Sequence, residues 1–127
     1  MKQNRQVEDY LKTIYRLQEN DLVRGVDIAR DLGVTKPTVS VALKKLENSG
    51  FITIHLSRSV ELTQEGERIA RDVTERYDTL FGLLTDLGVD EQTARHDACR
   101  MEHGISDRSL SALIELRQKF SQNTEKF

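Results

Sequence analysis

The 127 residues, 37% hydrophobic and 31% charged, suffice for one continuous core or two small packed units and no more. No apolar run approaches the roughly 20 residues of a membrane span, MKQNRQVEDY is unlike a signal peptide, and a lone Cys excludes an internal disulfide framework, so a soluble, cytoplasmic protein is expected. The net charge of −2 excludes a uniformly basic surface, yet residues 1–62 hold ten Lys/Arg against eight Asp/Glu while residues 63–127 hold nine against thirteen, which points weakly to an N-terminal nucleic-acid module.

Val7, Tyr10, Leu11, Ile14 and Leu17 recur at helical spacing and predict a helix over about residues 4–19. A second helix is expected over Arg24–Asp31, with Val26, Ile28 and Ala29 on its apolar side and Leu32-Gly33 as its end. Thr35 then offers an N-cap and Pro37 fits the first turn of a third helix running to Asn48-Ser49-Gly50, with Val39, Val41, Leu43 and Leu46 read as its apolar side. Two helices joined this tightly form a helix-turn-helix. Phe51-Ile52-Thr53-Ile54 and Val60-Glu61-Leu62, separated by five polar-rich residues, predict the β-hairpin wing of a winged helix. The alternative is a small helical domain with a hairpin and no ligand.

In a winged helix-turn-helix, the start of the third helix meets base edges. Thr35, Lys36, Pro37, Thr38 and Ser40 occupy that turn, where small hydroxyls and a Pro ring suit thymine methyls and phosphates better than guanine. Lys36, Lys44, Lys45 and Arg58 are candidate phosphate contacts, although any of these lysines also reads as an ordinary solvated charge.

Thr63 is expected to cap a long helix over Gln64–Leu84, with Ile69, Val73, Tyr77, Leu80, Phe81 and Leu84 as its stripe. Asp90 caps a further helix through about His103, and Ser106 a last one carrying Leu110, Leu113, Ile114 and Phe120. These helices are too few and too apolar for a comfortable solitary core, so a helix–helix homodimer is expected. At about 100° per residue, Cys99, Glu102 and His103 share an arc of roughly 100°, so a thiolate, a carboxylate and an imidazole can converge on one ion. The bland alternative is a buried Cys beside a solvated Glu-His pair. Asp9 lies near 200° from the first helix's apolar centre; it is free either to meet the second half of the chain or to pair at the surface with Lys12.

Taken together, EDYLKTIY, GVTKPTVSVALKKLENSGFI, LTQEGERIA and ACRMEHGIS resemble the diphtheria-toxin-repressor family of iron-dependent repressors and manganese-transport regulators, over about residues 7–117. The resemblance implies a mainly α protein: a winged helix-turn-helix over residues 1–63 and an all-helical metal-binding and dimerisation domain over 64–127, without the C-terminal SH3-like domain of longer members. It implies a homodimer that binds palindromic operators in double-stranded DNA when loaded with a divalent transition metal.

By position, Asp9 matches a helix-one ligand that is Asp in the manganese regulator and Met in the iron repressor. Cys99 matches a ligand that is Cys in the iron repressor and Glu in the manganese regulator, and Glu102 and His103 match ligands present in both. Thr35 and Pro37 match positions that touch thymine methyls, Thr38 and Ser40 phosphate-contacting hydroxyls. Lys12 and Tyr77 stand where the manganese regulator has a Glu and a His of a second metal position, which argues against a binuclear centre. The ancillary metal site of the longer repressors is incomplete here; His96 lies near its expected His, where the readings are a member of a variant site or, preferred, a surface or supporting residue.

The expected function is a metal-activated repressor of metal-homeostasis genes with no catalytic role. Fe(II) is the first choice of ion and Mn(II) the second because of the soft thiolate, with Zn(II) or Co(II) binding in vitro. The rival is a winged-helix regulator of the multiple-antibiotic-resistance type, sensing an organic ligand or an oxidant through Cys99. A metallohydrolase is disfavoured because no HExxH or comparable open site with a placed base is present.

Overall fold

The computed structural model describes residues 4–125. Its elements are α1 (Arg5–Leu17), β1 (Val23–Arg24), α2 (Gly25–Leu32), α3 (Lys36–Asn48), β2 (Ile52–Ile54), β3 (Ser59–Leu62), α4 (Gln64–Asp86), α5 (Glu91–Gly104) and α6 (Asp107–Glu125). They form two compact units that divide within α4, after Asp72.

The first unit is the expected winged helix-turn-helix with one addition. β1, between α1 and α2, pairs antiparallel with β3 (Val23 opposite Val60, Arg24 opposite Ser59), so the wing belongs to a three-stranded sheet of order β1-β3-β2. A two-residue strand is too short to leave an alternating pattern in the sequence. Asn4 caps α1 by accepting from the Val7 amide. α2 ends at Gly33, whose φ of 70° is the left-handed turn that Gly adopts without steric cost. Two residues later Thr35 caps α3. The core gathers Leu11, Ile14, Val23, Ile28, Val39, Leu43, Leu46, Ile52 and Val60.

Expected apolar positions depart from this core in two places. Val26 is partly exposed, and Val41 is 58% exposed on the face of α3 opposite Val39. Two residues on a helix are separated by about 200°, so burying Val39 turns Val41 outward. α1 departs in the other sense: Glu8, Lys12 and Thr13 are buried beside the apolar stripe, and Lys12 is therefore no surface residue.

The entry to α4 is locked to the turn between α3 and β2. Thr63 donates its hydroxyl to the Gly50 carbonyl (2.7 Å) and its amide to the Phe51 carbonyl (3.0 Å), while its hydroxyl oxygen accepts from the Gly66 amide (3.2 Å). Gly66 packs so closely that a Cβ there would run into the Phe51 carbonyl oxygen.

The second unit has a small core of Leu80, Ala98 and Leu110, with Tyr77, Phe81, Ile105, Leu113 and Ile114 packed on it. Tyr77 and Phe81, one turn apart, stack at 5.9 Å between ring centroids. Arg76 is buried and donates to the Ile105 carbonyl (2.9 Å) and to the Asp107 carboxylate, tying α4 to the turn that opens α6. Asp90 caps α5; the Thr93 amide it accepts from holds its carboxyl below the usual range. Ser106 accepts from the Ser109 amide at the start of α6. Phe120, expected on the apolar stripe, is exposed, as are Met101 and Leu116.

Gly66→Ala is expected to destabilise the first unit by about 1–3 kcal/mol, because backbone must move to admit the methyl group. Chemical denaturation of the variant beside the parent measures it, and Gly104→Ala, where a Cβ meets nothing within 4 Å, is the control expected to remain folded to at least the parent's midpoint.

Candidate nucleic-acid interface and metal centre

α3 presents its candidate contacts by virtue of its cap. Thr35 accepts from the Thr38 amide (3.4 Å), and the two hydroxyls hydrogen-bond to each other (2.8 Å). One hydroxyl proton of the pair is used in that bond, leaving the other for an outside acceptor. Because Val39, Leu43 and Leu46 bury one side, Pro37, Val41, Lys44 and Asn48 form the outward stripe. Lys44 stands beside Glu47 (4.0 Å) in an exposed pair, the kind that contributes little. Lys45 lines a separate groove between α1 and α3, with Tyr10 and Val7, and burial there pushes the Tyr10 phenol up.

Lys36, Ser40 and Arg58 converge. They line a trough of about 530 Å³ together with Arg24, Gly25 and Val26 at the start of α2, Leu43, and Ile54 and Val60 of the wing. Three cations and a hydroxyl face this trough, and no carboxylate is among its lining residues. Arg24 was not singled out from the sequence; its place there depends on β1 joining the sheet opposite Ser59.

The candidate metal donors lie on α1 and α5. Asp9 is half-buried on α1, with Arg5 Nε 3.9 Å from its carboxylate. On α5, Ala94, Ala98 and Glu102 recur every fourth residue on the buried side, and Glu102 is 1% exposed. His103 Nε2 lies 3.3 Å from Glu102 Oε1 with its side chain largely buried. Cys99 is half-buried one turn earlier on the same helix, and His96 is exposed. Within the second unit the structure thus brings Glu102 and His103 together and shelters Cys99 nearby. A carboxylate and an imidazole withdrawn from water, with a thiol alongside, are a donor set suited to a divalent transition metal.

Comparison with known proteins decides between the regulators this geometry allows. The family described as iron dependent repressor, N-terminal DNA binding domain, matches residues 3–60, and iron dependent repressor, metal binding and dimerisation domain, matches residues 63–126. The chain belongs to the iron-dependent repressor family. It is 39% identical over 120 residues to the transcriptional regulator MntR of Salmonella typhimurium, covering 94% of this chain and 76% of that protein. It is 37% identical over 111 residues to the diphtheria toxin repressor of Corynebacterium glutamicum, covering 86% of this chain but 49% of that longer protein. A solved manganese-dependent transcriptional repressor in complex with manganese superposes with a TM-score of 0.77 at 32% identity, over 84% of this chain and 50% of that one.

Family membership makes the chain a metal-dependent transcriptional repressor and sets aside the multiple-antibiotic-resistance type of regulator. Among the described residues no helix is long and apolar enough to cross a membrane.

Thr35→Ala is expected to lower stability by about 1 kcal/mol through loss of the α3 cap, and Thr35→Ser to restore most of it. Urea unfolding of the two variants measures the difference; equal midpoints for Ala and Ser would show that the cap does not support the helix.

Proposed function

We propose that this protein is a homodimeric, cytoplasmic repressor that binds a palindromic operator when Asp9, Cys99, Glu102 and His103 hold one divalent ion, and that it controls metal-homeostasis genes. The observation that carries the reading is the buried Glu102–His103 pair on α5 in a chain whose second half matches a metal-binding and dimerisation domain. A carboxylate so far from water is costly unless cations or donors surround it, and a bound divalent ion supplies that charge. Exposed Met101, Leu116 and Phe120 on this unit offer apolar surface to a second copy.

On the DNA side, Thr35 and Pro37 meet thymine methyls, with Val41 extending the same apolar stripe one turn on. Lys36, Thr38, Ser40 and Lys44 contact phosphates, which set affinity and salt dependence rather than sequence, and Arg58 meets DNA from the wing. Asp9 is carried by the DNA-binding unit and the other three donors by α5, so an ion held by all four couples metal occupancy to DNA affinity. A coupling of about 1–3 kcal/mol, or roughly 5–150-fold, is enough for regulation.

Cys99 governs the choice of ion. A thiolate favours Fe(II) over Mn(II), whereas a carboxylate at the same position favours Mn(II). The similarity to manganese-named regulators supports Mn(II) as equally strong a candidate.

Asp9→Ala is expected to bind metal more weakly through the remaining donors and to lose most of the metal-dependent gain in operator affinity while staying folded. Calorimetric metal titration beside a DNA-binding curve tests this; a normal gain in DNA affinity would overturn the four-donor assignment. Cys99→Glu is expected to shift half-activation in anaerobic buffer toward Mn(II) relative to Fe(II), and an unchanged ratio of the two midpoints would remove Cys99 from the ion's ligands.

A further inference from the structure

Leu56, at the tip of the wing, is fully exposed, more so than any other large apolar residue described. The turn that carries it is well fixed. The His55 amide donates to the Ser59 carbonyl (2.9 Å) and the Arg58 amide to the His55 carbonyl (2.8 Å). Ser57 and Ser59 share a hydrogen bond (3.0 Å), and the His55 ring meets the Glu61 carboxylate (2.8 Å). The side chains of His55, Ser57 and Ser59 are therefore engaged within the hairpin. Arg58 holds a φ of 70°, a left-handed conformation that is unfavourable for a residue with a Cβ. Among the described residues its side chain makes no hydrogen bond or ion pair. Folding thus fixes this turn so that an apolar side chain and an unpaired guanidinium both project from it.

Arg58 lines the trough between α3 and the wing, and Leu56 stands two residues before it at the tip. The trough's cationic lining (Arg24, Lys36 and Arg58), free of carboxylates, suits one sugar-phosphate strand. α3 forms one wall and the wing the other. If α3 lies in the major groove, the wall across that single strand stands over the minor groove. We propose that the wing tip is a minor-groove reader: Leu56 packs on the floor of A·T pairs flanking the bases read by α3, with Arg58 beside it and Arg24 on the intervening phosphates. A·T pairs lack the guanine 2-amino group that would obstruct an apolar side chain, and A·T tracts narrow the groove and deepen its negative potential for an Arg. The inference rests on DNA binding by the first unit and adds a second element of sequence preference to it.

Selection of duplexes from a random pool by the Mn(II)-loaded protein tests the proposal, with Leu56→Ser and Arg58→Ala compared against the parent. Leu56 is buried against nothing, so both variants are expected to fold, which circular dichroism checks. The parent is expected to enrich a block of A·T pairs displaced from the bases read by α3; both variants keep the latter and lose the block. On the selected duplex, replacing the block by G·C pairs is expected to weaken the parent roughly tenfold, within the usual cost of altered base pairs. Inosine·cytosine pairs, which present a major groove like G·C but a minor groove without the 2-amino group, are expected to leave affinity close to that of A·T. An unchanged block for Leu56→Ser, or inosine·cytosine pairs as harmful as G·C, overturns the proposal, as does a change in oligomeric state in place of a change in sequence preference. Enrichment of no sequence by the parent would instead overturn DNA binding itself, and this inference with it.

Discussion

Val39, Leu43 and Leu46 hold α3 against the first unit, and the rotation they impose on that helix determines which of its residues can reach DNA. Their spacing leaves one narrow buried stripe, so Pro37, Val41 and Lys44 face outward. The helix start is fixed independently by Gly33 in its left-handed turn and by the Thr35 cap. Rotation from the core and position from the cap together set where every candidate contact begins.

The wing is tied to this helix rather than hung from it. Glu47, near the end of α3, accepts the Ile54 amide of β2 at 3.0 Å. β1 pairs on the other side of β3, and Thr63 anchors the strand exit to Gly50 and Phe51. These bonds connect the helix and wing walls of the cationic trough within one hydrogen-bonded framework, which suits a surface whose function depends on spacing. The strained φ of Arg58 is held by the hydrogen bonds on either side of it.

The second unit shows how few apolar residues can organise a helical domain when a charged side chain is used structurally. Arg76 joins α4 to the turn before α6 where a hydrophobic contact would otherwise be needed. Small residues, Ala94 and Ala98, allow close approach along α5, and the same stripe carries Glu102 into the interior. That burial withdraws the Glu102 carboxylate and the neighbouring His103 imidazole from water, the observation on which the proposed metal site rests.

The helices of both units were legible in the sequence because each has a periodic stripe and a cap: Thr35, Asp90 and Ser106 all stand where their side chains indicated. The wing's strands and the grouping of Cys99, Glu102 and His103 on one helix were legible for the same reason, since both follow from periodicity. Tertiary structure alone supplied β1, the burial of Glu8 and Lys12, and Arg24's place in the trough, because each depends on partners distant in sequence. Val41 marks the boundary between the two. Its apolar character suggested the core, but an angle fixed by Val39 and Leu43 turned it to the surface, because a helix buries positions rather than residue types.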